Sequence, residues 1–167
     1  MEKSTTRGFT VKRIGGYLHK VVPVVDSAGK VISYAVQPLM WEFRPRDVMQ
    51  IIVGASVLAV PVAFTEETWT LGERLPVANV AGLAIVSVAF IALFVYYNFY
   101  RGSLSGHVTE YVKRVLAVYV LSLLVVGGLL TLIQKCPWGV DTALAMKRVV
   151  IVAFPASMSA AISDMLK

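Results

Sequence analysis

The sequence carries few charges for its length. Of its 167 residues, 16% are charged and 57% are hydrophobic, and the mean hydropathy is +0.71. A typical soluble domain has about 25% charged and about 45–50% apolar residues. A single core of this size could not bury so much apolar surface. The composition therefore excludes an ordinary soluble domain and a disordered chain, and it predicts a small integral membrane protein.

Cysteine and histidine are also scarce, with only Cys136, His19 and His107. These residues cannot supply an internal disulfide or a Cys/His zinc cage. The segment Gly54–Ser56 resembles the Gly-x-Ser of intramembrane serine proteases, but both histidines lie outside the apolar segments, where they could not act as its base. No phosphate-binding glycine loop is present. The chain is therefore predicted not to be an enzyme and to need no cofactor other than a bound cation.

No secretory signal is visible, because residues 1–20 are polar and basic. We therefore expect the N-terminus to stay in the cytoplasm. Residues 1–47 form the first predicted domain and hold half of the 16 Lys and Arg residues. Within them, residues 20–25 and 31–36 are rich in β-formers and flank a turn at 26–30. This pattern predicts a cytoplasmic β-hairpin.

The second predicted domain, residues 48–167, contains four long apolar segments. They are residues 48–64, 77–100, 115–133 and 149–162. Asp141 is a potential N-cap, which extends the last helix to about 142–166. Each segment with its flanks can cross the hydrocarbon core at about 1.5 Å per residue. The predicted fold is an all-α integral membrane protein with four transmembrane helices and a short N-terminal hairpin.

The basic residues predict the orientation of these helices. With a cytoplasmic N-terminus, the inner side has 12 Lys and Arg and the outer side has 4, and only the adjacent Lys147 and Arg148 run against the trend. We therefore expect a multi-pass protein of the cell membrane with both termini in the cytoplasm. The basic tail is explained by this orientation and by attraction to anionic lipid. No nucleic-acid partner is expected.

Polar and small residues follow one face of the first apolar segment. These are Asp47, Gln50, Gly54, Val57, Pro61, Thr65 and Thr68. They fall within about 90° at helical spacing. Pro61 is expected to break the helix and to leave the Val57 carbonyl without its backbone donor. Such a face is typical either of a helix that lines a water or ion path or of a close seam between helices.

Two adjacent carboxylates, Glu66 and Glu67, follow this segment. In a symmetric homo-oligomer they would repeat as a ring, and carboxylate rings select cations. Hard divalent ions such as Ca²⁺ take oxygen ligands, so both residues are candidate metal ligands. Thr65 and Thr68 would add oxygens, and Asp47 and Gln50 would lie at the inner mouth. The ring requires a change of helical register after Pro61.

Two resemblances accompany these residues. Thr65-Glu66-Glu67-Thr68-Trp69 resembles the Thr-x-Glu-x-Trp selectivity filter of bacterial voltage-gated sodium channels and engineered calcium channels, which implies an ion-facing Glu67. Arg44-Pro45-Arg46-Asp47-Val48, with Gly54-Ala55-Ser56, Pro61 and the segment 65–69, resembles a family of small prokaryotic integral membrane proteins of uncharacterised function. That likeness spans residues 38–167 and implies a fold but no activity.

The leading hypothesis is therefore a homo-oligomeric cation channel, selective for divalent ions, with its axis between subunits. One alternative is a secondary transporter with a site at Pro61 and Pro155. Another is a non-catalytic scaffold or lipid-binding subunit. Elsewhere, Glu110 and Arg114 are expected to pair on a helix surface, and Asp164 is expected at the cytoplasmic surface.

Overall fold

The computed structural model describes residues 10–14, 17–27, 29–38, 44–100 and 107–166. Lys3, Arg7, Arg101 and Lys167, which enter the count of basic residues, lie outside this part of the chain. The chain divides into two compact units, Met1–Glu42 and Phe43–Lys167.

The first unit contains an antiparallel sheet in the order β1 (Thr10–Ile14), β2 (Tyr17–Val25) and β3 (Val31–Pro38). Between β2 and β3, the Asp26 carboxylate accepts the Lys30 amide at 3.0 Å, and Gly29 takes a φ of +77° that favours glycine. The predicted hairpin is therefore present. The prediction missed β1, a five-residue strand that pairs with the other edge of β2.

The described residues of the second unit, 44–100 and 107–166, form five α-helices. They are α1 (Pro45–Ala63), α2 (Glu66–Arg74), α3 (Val77–Val95), α4 (Val108–Leu132) and α5 (Thr142–Met165). A π-helical turn, Tyr96–Tyr100, continues α3. Among the described residues, four helices are long and apolar enough to cross a membrane: α1, α3 with its π-turn, α4 and α5. These match the four predicted segments.

Local signals explain where several helices begin. Asp141 caps α5, as predicted, because its Oδ1 accepts the Leu144 amide at 2.9 Å. Pro45 is the first residue of α1, where its missing N–H costs nothing. The short helix α2 was not predicted, although Thr65 precedes it and two acidic residues stand in its first turn. Nine mostly polar residues gave no apolar periodicity to reveal it.

The centre of the second unit is α5, which packs against α1, α2, α3 and α4. In the 18-residue apolar stretch of α5 that could span a membrane, 50% of the residues are buried inside the protein. The corresponding stretch of α3 is only 17% buried. Small residues make this possible, since Ala153, Ala156 and Ala160 are fully buried. Close packing of small residues is the typical way for helices to associate where lipid removes the hydrophobic drive.

The contact between α1 and α5 is closest at Gly54. A Cβ atom there would lie 2.9 Å from both the Ala160 Cα and the Ser159 carbonyl oxygen, and closer still to the Ser163 Cβ. Two of these obstacles are backbone atoms, which cannot turn aside as a side chain does. Gly54 therefore serves the helix seam, one of the two interpretations of the polar face.

We expect Gly54→Ala to lower the free energy of unfolding by roughly 1–3 kcal/mol, because the added methyl group must push α1 away from α5. Gly128→Ala is the matched control, since nothing lies within 4 Å of the Cβ it would add. In α4 that change should be neutral or stabilising by up to about 1 kcal/mol. Thermal unfolding of both variants in detergent measures the difference, and equal stabilities would contradict the close contact.

Candidate functional site

Three charged side chains meet inside the second unit and are called here the acid–arginine cluster: Asp47 of α1, Arg114 of α4 and Asp164 of α5. Their exposed fractions are 1%, 0% and 0%. Arg114 donates from Nε to Asp164 Oδ2 at 2.7 Å and from Nη2 to Asp164 Oδ1 at 3.0 Å. Its Nη2 also lies 3.5 Å from Asp47 Oδ2. Asp164 thus holds the guanidinium at two points, and Asp47 holds it more loosely.

Helix direction explains why residues so far apart in sequence meet. Asp47 is in the first turn of α1, Arg114 is in the second turn of α4, and Asp164 is in the last turn of α5. Asp47 also accepts the Arg44 amide at 3.0 Å, so it caps α1 while it faces Arg114. The cluster therefore marks one end of the helical bundle, called here the cluster end.

The remaining long helix, α3, contributes aromatic side chains from the π-turn that continues it. The Phe99 ring centroid lies 3.9 Å from the Arg114 guanidinium carbon, a cation–π contact. Tyr100 is fully buried and packs edge-on against Tyr111 at 5.4 Å. The Tyr111 hydroxyl donates to the Ala92 carbonyl at 3.0 Å, which ties α4 to the end of α3. Single π-helical turns occur often at functional sites.

One expectation about the cluster was wrong. Arg114 is buried in the bundle and not at a helix surface, and the carboxylate that holds it at two points is Asp164 of α5, not Glu110. A signal for this burial was available in the sequence. Arg114 shares its helix face with Val118 and Ser122, both fully buried, at intervals of four residues.

The other residues of the predicted ion path fall into two groups at opposite ends of α1. Near the cluster, Gln50 donates its side-chain amide to the Leu166 carbonyl. At the far end, Pro61 lies inside α1, which continues to Ala63 before the chain turns into α2. At about 1.5 Å per residue, the 19 residues of α1 span about 28 Å, and Gln50 and Pro61 lie roughly 16 Å apart along this axis.

The two threonines join α1 to α2. The Thr65 and Thr68 hydroxyls lie 2.7 Å apart, and both donate to the Val62 carbonyl, at 2.8 and 3.2 Å. Glu66 and Glu67 are exposed in the first turn of α2, where carboxylates suit the positive end of the helix dipole. Over the described residues, no group of three or more His, Cys, Asp or Glu side chains is placed to hold a metal ion.

A second ionic arrangement lies at this far end, called here the α2 end. Arg148 of α5 donates from Nη2 to Glu73 Oε1 at 2.9 Å and from Nη1 to the Lys135 carbonyl at 2.8 Å. The Trp69 ring has the Lys135 ammonium 5.4 Å and the Arg148 guanidinium 5.5 Å from its centroid. Arg148 is one of the two basic residues that did not fit the predicted orientation of the helices. These contacts give it a structural role at this position.

A family model described as "Putative integral membrane protein (DUF2391)" matches residues 30–166. The chain belongs to this family. This integral membrane protein has four candidate spans, as a multi-pass arrangement requires. A search of the curated proteins and a search of the solved structures gave no significant match.

Because this is an integral membrane protein, the energetic cost of burying the charged acid–arginine cluster differs from the cost in a soluble protein. Ionisable groups within the spans of a membrane protein are costly and are typically paired and functional. Two carboxylates face one guanidinium here, so the three side chains carry a net charge of −1 when all are ionised. The Asp164–Arg114 pair is neutral by itself, and Asp47 adds a second carboxylate beside it.

Removing the cation should therefore cost more than removing Asp47, the carboxylate with the longer contact to Arg114. We expect Arg114→Gln to lower the free energy of unfolding by about 3–5 kcal/mol, because two buried carboxylates lose their counter-charge. Asp164→Asn should also be strongly destabilising, and Asp47→Asn clearly less so, because it leaves the Asp164–Arg114 pair intact. Lys113→Gln is the control, because Lys113 is exposed and stands next to Arg114 in the sequence. Thermal unfolding in detergent ranks the four variants, and an Asp47→Asn loss as large as that of Arg114→Gln would contradict the unequal roles.

Proposed function

We propose that this integral membrane protein is a secondary transporter whose movement is coupled to a cation, and that the acid–arginine cluster is its coupling site. The observation that carries the proposal is the buried cluster of two carboxylates and one guanidinium where all four long helices meet. A proton or a small cation that joins the cluster would neutralise one of its two carboxylates. Intramembrane ionisable residues commonly serve as proton and ion relays in transporters.

The geometry suggests how coupling would act on the helices. The Asp47–Arg114 contact, at 3.5 Å, is the longer of the two, and Asp164 keeps Arg114 at 2.7 Å. Neutralising Asp47 would weaken its hold on Arg114 and leave α4 and α5 joined. The beginning of α1 could then separate from the α4–α5 pair, which opens the bundle at the cluster end.

The prolines support a movement of this kind. Pro61 and Pro155 lie inside α1 and α5, which are antiparallel neighbours in close contact. Since Gly54 lies against Ala160, the register brings Pro61 within about one turn of Pro155. Each proline removes one backbone hydrogen bond from its helix, which makes both helices easier to bend at the same level. The proposal retains the orientation predicted from the basic residues, with both termini in the cytoplasm.

The test is a cation-jump measurement on the purified protein in liposomes adsorbed to a solid-supported electrode. Steps in H⁺, Na⁺, K⁺ and Ca²⁺ should give a transient current for at least one cation, because binding moves charge within the protein. Asp47→Asn should reduce that transient at least tenfold. Asp26→Asn is the control, since it makes the same chemical change in the first unit. If none of the four cations gives a transient current, or if Asp47→Asn gives the same transients as the unchanged protein, the proposal is overturned.

A second candidate is the homo-oligomeric cation channel, favoured by the exposed carboxylates of Glu66 and Glu67 directly after α1. The exposed face of α1 carries Met49, Val53 and Val57, so an axis lined by this face would be apolar below the carboxylates. The ring of Glu67 would then provide the selectivity for divalent ions and bind Ca²⁺.

Planar-bilayer recording separates this candidate from the transporter. A channel should show steady unitary currents, with a preference for Ca²⁺ over Na⁺ that Glu67→Gln abolishes, and it should form a stable oligomer in detergent. Unchanged selectivity in Glu67→Gln, or a monomer without unitary currents, would contradict a channel. Lys113→Gln, which changes a charge in α4, should leave the recordings unaltered.

A further inference from the structure

A groove of about 460 Å³ lies at the α2 end of the bundle and is called here the Trp69 groove. Its walls come from the end of α1, the first turns of α2 and the segment that follows α4. The lining includes Phe64, Glu66, Trp69, Thr70, Ile133 and Lys135. The groove therefore combines one carboxylate, one ammonium and two aromatic rings.

The two charges of the groove lie on different walls and do not pair with each other. Across the described parts of the chain, neither the Glu66 carboxylate nor the Lys135 ammonium has an oppositely charged partner within 4.0 Å. Two opposite charges that face one groove but do not meet leave space between them. A molecule with both charges would fill that space and place an anion on Lys135 and a cation on Glu66.

The bundle holds the lining in place. At the end of α4, the Lys135 amide donates to the Leu130 carbonyl at 2.8 Å and the Gln134 amide donates to the Thr131 carbonyl at 3.0 Å. This is a Schellman motif, with Gln134 at the left-handed position (φ 58°) that glycine usually occupies. Arg148 then joins the Lys135 carbonyl to Glu73 of α2, so the same guanidinium ties both walls of the groove.

The close fit of α2 on Arg148 reinforces this framework. A Cβ atom at Gly72 would lie 2.7 Å from the Arg148 Cγ, so α2 approaches the arginine stem directly. Trp69, one turn earlier, presents its ring to the same arginine and to Lys135. The Trp69 ring and the Lys135 backbone are therefore held in place before a ligand enters, which favours binding.

We propose that the Trp69 groove binds a small zwitterion, with its carboxylate or phosphate on Lys135, its ammonium on Glu66 and its apolar part against Phe64 and Trp69. Both free amino acids and the headgroup of phosphatidylethanolamine have this chemistry. The inference goes beyond the proposed transporter, because binding is measured at equilibrium and does not depend on coupling at Asp47.

The test uses Trp69 as the only tryptophan, after Trp41→Phe and Trp138→Phe, in nanodiscs of phosphatidylglycerol, which carries no ammonium. The probes are L-leucine, 4-methylpentanoate, which lacks the ammonium, and 3-methylbutylamine, which lacks the carboxylate. We expect a saturable change of Trp69 fluorescence with leucine and at least tenfold weaker binding of each singly charged analogue.

Glu66→Gln and Lys135→Gln should each weaken leucine binding at least tenfold. Both side chains are exposed, so these changes should leave the fold intact, which circular dichroism verifies. Lys147→Gln is the matched control, because it removes a neighbouring positive charge that does not line the groove. It should leave the affinity unchanged.

Nanodiscs that contain phosphatidylethanolamine identify the source of the zwitterion. If this lipid changes Trp69 fluorescence and competes with leucine, both sources fit the groove; if the lipid alone acts, its headgroup is the ligand. Either result supports a zwitterion site when both variants lose the response. No response to either zwitterion, equal binding of a singly charged analogue, or variants that bind normally would overturn the inference. Failure of the cation-jump currents would leave this result unaffected.

Discussion

The buried guanidinium of Arg114 requires negative charge beside it, and this requirement organises the helical bundle. Arg114 is completely removed from the surface, and a cation in that position is tolerated only where carboxylates and hydrogen bonds replace its solvation. Asp164 and Asp47 supply them from two other helices, and the π-turn supplies the Phe99 ring. These contacts join α1, α4, α5 and the π-turn at one end of the bundle. Gly54 adds a close contact between α1 and α5.

The two ends of the bundle obtain their ionic contacts in different surroundings. At the cluster end the ion pairs are buried, so each missing partner would leave a desolvated charge. At the α2 end Arg148 is 12% exposed and its partner Glu73 is 61% exposed, and a pair in such surroundings contributes little to stability. The α2 end is therefore held mainly by packing and by the contact of Arg148 with the Lys135 carbonyl. Its ionic groups are consequently freer to interact with other molecules.

Much of the fold was predictable because it depends on patterns that are local in sequence. The four long helices follow from apolar runs, the hairpin between β2 and β3 follows from turn residues, and the start of α5 follows from Asp141. By contrast, α2 and β1 are short and polar. Their stability depends on contacts with residues distant in sequence, which no local pattern predicts. The polar face of α1 was recognised, but periodicity alone does not show which helix covers it.

The candidate site was harder to predict for a related reason. Glu110, four residues before Arg114, offered a local partner, and the choice between it and Asp164 depends on how α4 is rotated in the bundle. Lys135 and Glu66 lie nearly 70 residues apart, so no spacing rule brings them to one groove. Only the path of α4 past the end of α1 does so.

The order of the cluster residues along the chain has a consequence for biosynthesis. Asp47 enters with the first span and Arg114 with the third, and their principal partner Asp164 stands in the last turn of the fourth. A chain made from its N-terminus therefore carries Arg114 to the bilayer about 50 residues before its two-point partner is synthesised. Until α5 is made, Arg114 lacks the carboxylate that holds it at two points. The last helix therefore completes the cluster.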